Sequence, residues 1–293
     1  MTDQSLFDQA FLSLQRRRAH ARATEGADFL LRHVAEDLAE RLATVSRRFP
    51  VAVELHGHTG IVGERLMAGG SIDRLIRVET DTGLIGVSDG KVASLETVPL
   101  EPETADLIVS PLALHLTQDT PGVLIQINRA LKPDGLFLGA MPGAGTLGEL
   151  RESLIAAESE LSGGAAPRVI PFPDIRDAGA LMQRAGFALP VTDVDTLTVR
   201  YSDMFGLMRD LRAMGMANPL SGRSRRPASR ALFLRAAELY AERFSDPDGR
   251  IRATFRIIHM SGWRPHESQQ KPARRGSATV SLADVLKSSS GEG

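Results

Sequence analysis

The 293-residue sequence has no cysteine. Disulfides, thiolate nucleophiles, thiolate zinc sites and cysteine-held iron–sulfur clusters are therefore excluded, while sites built from histidine and carboxylate remain open. The same lack points to a reducing compartment. Excess charge of one sign is missing as well: 35 Lys and Arg stand against 36 Asp and Glu, a formal charge of -1. No overall cationic field exists to hold a nucleic-acid backbone or an anionic membrane, and a nucleic-acid partner is not expected. No apolar run approaches the roughly 18–20 residues of a spanning helix. The opening Met1-Thr2-Asp3-Gln4 lacks the basic stretch and apolar run of a secretory leader. A soluble, cytoplasmic protein is the expectation. Hydrophobic residues make up 42% of the chain, enough for one large domain or two small ones.

Residues 5–49 read as helical, because Leu30, Val34, Leu38 and Leu42 recur every four positions and Val45 follows. Pro50 ends that pattern. Val51 to Leu55 is a short apolar run of strand length, and His56-Gly57-His58-Thr59-Gly60 leads from it into a helix through Leu66. Further strands are expected at Leu75–Val78, weakly at Lys91–Ala93, and strongly at Asp106–Val109. Gln118 to Leu131 reads as a helix halted by a Lys132-Pro133-Asp134-Gly135 turn, with a buried strand over Leu136–Met141. Alternation of strands and helices implies a mostly parallel α/β sheet covered on both faces. Helices are expected at Leu147–Leu161 and Asp177–Ala185, and an extended segment at Phe187–Val199. A helical insertion broken near 221–229 comes next, and a last strand lies at Thr254–Met260. The polar segment from Pro265 has no periodicity, and residues 288–293 read as a disordered tail.

In an open parallel sheet, ligands gather beyond the carboxyl ends of the strands where strand order reverses, so the turn at 54–60 is the first place to look. A Gly-containing loop there lets a nucleoside approach the backbone, and Glu79 at the end of the second strand can accept hydrogen bonds from ribose hydroxyls. The same turn is also ordinary connection chemistry. His56 and His58 beside Glu54 or Glu79 have the composition of a two-histidine, one-carboxylate iron site, against which stands a solvated loop. Arg16-Arg17-Arg18 with Arg22 reads either as a peripheral contact with an acidic membrane surface or as the wet face of a helix. Met204, Met208, Met214 and Met216 read as core filling or an adaptable partner surface.

The segment Glu54 to Gly60 resembles the D-L-G-x-G-x-G loop of class I S-adenosylmethionine-dependent methyltransferases. Ala105-Asp106-Leu107-Ile108-Val109-Ser110, Leu112 to His115, Leu131 to Gly135, Gly139-Ala140-Met141 and Thr146 to Arg151 extend the resemblance. Near the end, Gly262-Trp263, His266-Glu267-Ser268-Gln269 and Arg275 to Ser281 carry it over nearly the whole chain. The subfamily resembled is the respiratory complex I assembly factor that hydroxylates an arginine of an iron–sulfur subunit. The malonyl-carrier-protein methyltransferase of biotin synthesis is a more distant likeness.

That resemblance implies a single domain over 1–287 on a seven-stranded, doubly wound, Rossmann-like sheet. Its parts are N-terminal helices at 5–49, a cofactor-type core at 50–200, a helical lid at 201–250 and a last strand with a polar segment at 251–287. It implies S-adenosylmethionine held by Glu54, His56, Gly57, His58, Gly60, Glu79, Ser94, Leu95 and Ser110. His115, after the fourth strand, and Glu149 are the implied catalytic residues; Arg151, His266 and Arg275 are the implied substrate contacts. The complex I iron–sulfur subunit is the implied protein partner, met in the cytoplasm at the inner face of the inner membrane. Three positions depart from the pattern: His56 and His58 replace glycines, and Ser94 replaces an aspartate near the adenine. Bulky rings where bare backbone is useful weaken the expected hold on the cofactor. Two other functions therefore stand beside hydroxylation: methyl transfer to a protein or carrier-protein substrate, and a non-catalytic assembly chaperone.

Overall fold

The computed structural model describes residues 5–86 and 89–269. Two helices come first, α1 (Gln9–Arg22) and α2 (Phe29–Ala43), where the pattern over 5–49 predicts one helical segment. The break has a local cause. Ala23 turns left-handed at φ 43° to end α1, whose other end is capped by the Asp8 carboxylate accepting from the Phe11 N–H.

The chain continues as β1 (Phe49–Leu55), α3 (Ile61–Met67), β2 (Ile72–Glu79), the single turn α4 (Thr82–Ile85), β3 (Gly90–Val92), β4 (Ala105–Pro111), α5 (Thr120–Ala130) and β5 (Leu131–Pro142). Then follow α6 (Gly148–Ser162), α7 (Ile175–Arg184), β6 (Ala188–Tyr201), α8 (Met204–Ala213), α9 (Arg230–Phe244) and β7 (Ile251–Trp263). The strands form one seven-stranded sheet in the order β3-β2-β1-β4-β5-β7-β6. β1 pairs in parallel with both β2 and β4. The chain thus winds outward from β1 to β3 and then crosses back to the other side of β1, so the switch in strand order falls between β1 and β4. Only β7 runs antiparallel, between β5 and β6.

Alternation along the central strands builds a core on each face. Leu107, Val109, Leu136 and Leu138 join the apolar layer that contains α2, α6 and α9 residues. Ile108 and Phe137 point the other way, to the layer of Val123, Ile127, Ala178 and Met182 from α5 and α7. Lys132-Pro133-Asp134-Gly135, predicted as a turn between helix and strand, is instead taken into β5. Ala105 pairs with Leu131 but Leu107 with Leu136, and the surplus residues bulge with Asp134 at φ 63°. Arg264 holds the bulge, its carbonyl accepting from the Asp134 N–H and its N–H donating to the Gly135 carbonyl.

Between β6 and β7 stand α8 and α9, the helical insertion. Met204 is buried, and Met208, Met214 and Met216 pack partly buried against the core, so the methionine-rich stretch fills core space. No helix among the described residues is long and apolar enough to cross a membrane.

Candidate functional site

The loop after β1 keeps the backbone of a glycine-rich turn without all its glycines. His56 and His58 both sit in the left-handed region, at φ 57° and 63°. For residues with a Cβ this costs about 1–2 kcal/mol each and persists only where the surroundings fix it. The fixing contacts are the His56 N–H to the Val78 carbonyl at 2.7 Å and the His58 N–H to Glu79 Oε1 at 2.8 Å. Gly57 is obligatory, since a Cβ there would lie 2.3 Å from Glu54 Oε1. Neither histidine belongs to a solvated loop, because both are buried.

Beneath the loop lies a buried ion network. Arg77 Nε donates to Glu54 Oε2 at 2.8 Å and its Nη2 to Glu79 Oε1 at 3.1 Å; its Nη1 donates to the carbonyls of Leu84 and Ile85. Glu54 also accepts from the Gly63 N–H at 2.9 Å. Glu54 is thereby committed to bracing the loop and does not border the adjoining cavity. Burial pushes the Glu79 carboxyl up to about 7, against the pull of Arg16 and Arg77. Its Oε2 has no hydrogen-bond partner among the described residues.

Above the loop is a cavity of about 560 Å³. Its walls come from α1, the α1–α2 connection, the segments at 168–172 and 211–219, and the turn after β4. His115 borders it from a short 3-10 turn, Leu114–Leu116, with its ring 6.0 Å from that of Phe172. Burial, reinforced by the nearby Arg16 charge, pushes the His56 and His115 imidazoles down to about 3 and that of His58 to about 4. All three are neutral near pH 7. His58 Nε2 lies 3.0 Å from the Arg16 carbonyl, which can only accept, so that ring carries its proton on Nε2. The two histidines do not converge with Glu54 on a metal-binding arrangement, and none exists among the described residues.

Arg16 is the residue that sequence reading placed wrongly. It is 6% exposed and borders the cavity, so it is neither a wet-face charge nor a membrane contact. Arg17 beside it pairs with Asp81 at 3.4 Å. The pattern that could have found Arg16 is the Leu12, Arg16, Ala19 stripe, spaced by four and three and buried together.

The other expected site residues divide. His56, His58 and His115 border the cavity, whereas Gly57, Gly60, Glu79, Ser94, Leu95 and Ser110 do not. Leu95 and Ser110 border, with His56, a separate space of only about 10 Å³. Ser94 is exposed, its hydroxyl 3.0 Å from that of Thr97. Glu149 is turned away from the cavity to Thr254, where it accepts from the N–H and the hydroxyl and ties α6 to β7. Arg151 is not on the cavity wall itself and donates to the carbonyl of Ile170, which is, at 2.8 Å. His266 is exposed and bound to Ser268, while the neighbouring Gln269 reaches Asp134. It lies at the far end of the sheet because antiparallel β7 finishes beside the amino-terminal part of β5. Arg275 lies outside the described residues.

A family model described as a methyltransferase domain matches residues 70–139, beginning after the altered loop. The curated "Arginine-hydroxylase NDUFAF5, mitochondrial" of Danio rerio is 39% identical over 269 residues, 89% of this chain and 83% of that one. The chain belongs to this arginine-hydroxylase family. A malonyl-[acyl-carrier protein] O-methyltransferase of Gallionella capsiferriformans (strain ES-2) is 28% identical over 92% of this chain and 96% of its own. Among solved structures, YcgJ of Bacillus subtilis superposes with a TM-score of 0.55 at 13% identity over 80% of this chain and 99% of that one, a likeness of fold alone. In this arginine-hydroxylase family member, then, the fold is the methyltransferase sheet and the altered loop stands at its strand-order switch.

Proposed function

We propose that this chain is a protein-arginine hydroxylase that acts on the iron–sulfur subunit of respiratory complex I during its assembly, in the cytoplasm at the inner face of the inner membrane. The observation that carries the reading is 39% identity to an arginine-hydroxylase over 89% of the chain. The cavity is compatible with such a substrate. Glu25 and Glu64 are exposed carboxylates on its border, suited to receive a guanidinium at the mouth. His115 lies deeper and is neutral at physiological pH; pushed down to about 3 it is too weak a base to move a proton there, so its role is to orient an entering side chain by a hydrogen bond at its unpartnered Nδ1.

S-adenosylmethionine is the cofactor implied by the methyltransferase family, and two orphaned buried atoms suit its ends. Arg16 Nη1 is a donor without an acceptor, matching an amino-acid carboxylate, and Glu79 Oε2 an acceptor without a donor, matching a ribose hydroxyl. For that fit the His56 and His58 rings have to leave the cradle. When bound, the cofactor supplies an electrophilic methyl group. The same pair of atoms favours the second reading, methyl transfer to a protein or carrier-protein substrate.

His115→Ala is expected to abolish most of the arginine modification while leaving the protein folded, because the residue is on a short turn and not within the sheet core. Peptide mass spectrometry of the iron–sulfur subunit from cells carrying each form, with circular dichroism of the purified variant, makes the check. Undiminished modification removes His115 from the mechanism. An arginine or carboxylate heavier by a methylene group would replace hydroxylation by methyl transfer.

A further inference from the structure

We propose that the outer face of α1 and of the helical insertion is a docking surface for a protein, gripped through the carboxylates of an acidic stretch. The proposal deepens the proposed function and rests on it for one point, that a protein side chain enters the cavity. The chain as a whole is electrically balanced, but this part of it is not: α1 and residues 204–230 carry ten arginines against a single aspartate, Asp210, which lies beside Tyr201. The two segments are also joined in space. Phe7 and Leu220 form an antiparallel bridge, the Asp8 N–H donates to the Pro219 carbonyl at 2.8 Å, and the Arg223 guanidinium lies 4.1 Å over the Phe11 ring. Three of the ten arginines are spent: Arg16 is buried, Arg17 pairs with Asp81 and Arg223 with Asp8. The other seven are exposed, and none has a carboxylate within ion-pair distance among the described residues.

Helical spacing turns these charges outward. On α1 the row Leu14, Arg18, Arg22 lies opposite the buried Leu12, Arg16 and Ala19. On α8 the row Phe205, Arg209, Arg212 lies opposite the buried Met204, Leu207 and Leu211. Arg225 and Arg226 continue the face in the loop before α9. Such a one-sided field reaches about 8 Å into solution at physiological salt and steers a partner of opposite charge. Guanidinium forks suit planar carboxylates, which they hold by two parallel hydrogen bonds. A bilayer fits less well, because an interfacial helix buries a continuous apolar face. The apolar side of α1 is already spent inward, and Leu14 is the one large apolar side chain on its outer row. A nucleic acid would want aromatic platforms, and Phe205 is the one exposed large aromatic among the described residues. One leucine and one phenylalanine among arginines instead make the mixture found in protein interfaces. α1 and residues 211–219 also wall the cavity. A protein whose arginine enters the acidic mouth at Glu25 and Glu64 therefore lays the residues around that arginine on the cationic face, and the two opposite fields together select an arginine in an acidic setting.

Fluorescence anisotropy of the full chain with two labelled peptides of equal length tests this, each with one central arginine, flanked by aspartate and glutamate in the first and by serine and glutamine in the second. The wild type is expected to bind the acidic peptide at least about tenfold more tightly, and to lose that preference as salt rises from about 0.1 M to about 1 M. Arg209→Glu combined with Arg212→Glu should abolish the preference. Arg176→Glu combined with Arg184→Glu, which reverses two exposed arginines of α7 on the opposite face of the sheet, should keep it. All four side chains are exposed, so unchanged melting temperatures are expected to accompany both results. Equal binding of the two peptides, no saturation by the acidic one at millimolar concentration, or a preference unchanged in the α8 variant overturns the proposal. Sedimentation with phosphatidylglycerol vesicles that the α8 variant abolishes, in the absence of any peptide preference, would overturn it in favour of a lipid surface. Mass spectrometry of the same peptides keeps the two readings apart: acidic preference without an added oxygen removes the hydroxylase and leaves the docking face, and an added oxygen without acidic preference does the reverse.

Discussion

Acidifying from about pH 6.5 to about pH 5 is expected to cost the fold about 3 kcal/mol. His56, His58 and His115 have imidazoles pushed down to about 3, 4 and 3, so in this window the unfolded chain takes up protons that the folded one refuses. A site that binds fewer protons when folded loses stability as pH falls from its unfolded pKa towards its folded one. Glu79 runs the other way. Held up at about 7, it keeps a proton in the fold that the unfolded chain releases, and it favours the folded state as pH falls to about 4.5. Three histidines against one carboxylate leave a net uptake of about two protons on unfolding near pH 5.5. His259, also lowered by burial, acts with the histidines. Urea denaturation across the range reads the effect, and His56→Gln should flatten the slope by about half. Stability that is level or rising on acidification would mean that the imidazoles are charged inside the fold.

Arg77→Met is expected to destabilise by about 3–5 kcal/mol, the cost of stranding buried carboxylates without their cation. One guanidinium serves Glu54, Glu79 and two carbonyls of α4, so its loss unties β1, the histidine loop and α4 together. Methionine fills similar volume, and the loss is therefore electrostatic and not a cavity effect. The cost should shrink at acidic pH, where Glu79 protonates, when compared with wild type at the same pH. Denaturation midpoints at pH 8 and pH 6 supply the comparison. A cost under about 1 kcal/mol would show that the network does not brace the loop.

Much of the sheet was legible because its pattern is local. Ile108 and Leu107 point to opposite layers, and such apolar runs between turn residues announce buried parallel strands. Lys132 to Gly135 misled, since Pro-Asp-Gly chemistry reads as a turn wherever it occurs and only pairing with β4 and Arg264 turns it into a bulge. At the site, sequence position brought His56, His58 and His115 to the cavity because loops after β1 and β4 must meet at the strand-order switch. It could not distinguish facing in from facing sideways. Glu149 and Arg151 are near in sequence to the right strand end, yet each is spent on a neighbour, Thr254 and Ile170. Arg16 was hidden by its company: three consecutive arginines suggest a wet helix face, and only the Leu12 and Ala19 spacing marks one as buried.

The central claim is tested most directly by peptide mass spectrometry of the complex I iron–sulfur subunit from cells with and without this protein. Arginine hydroxylation predicts one arginine peptide heavier by a single oxygen atom, present in the first and lost in the second. An identical peptide mass in both would contradict it, and would leave the chain as an assembly chaperone or an enzyme acting elsewhere.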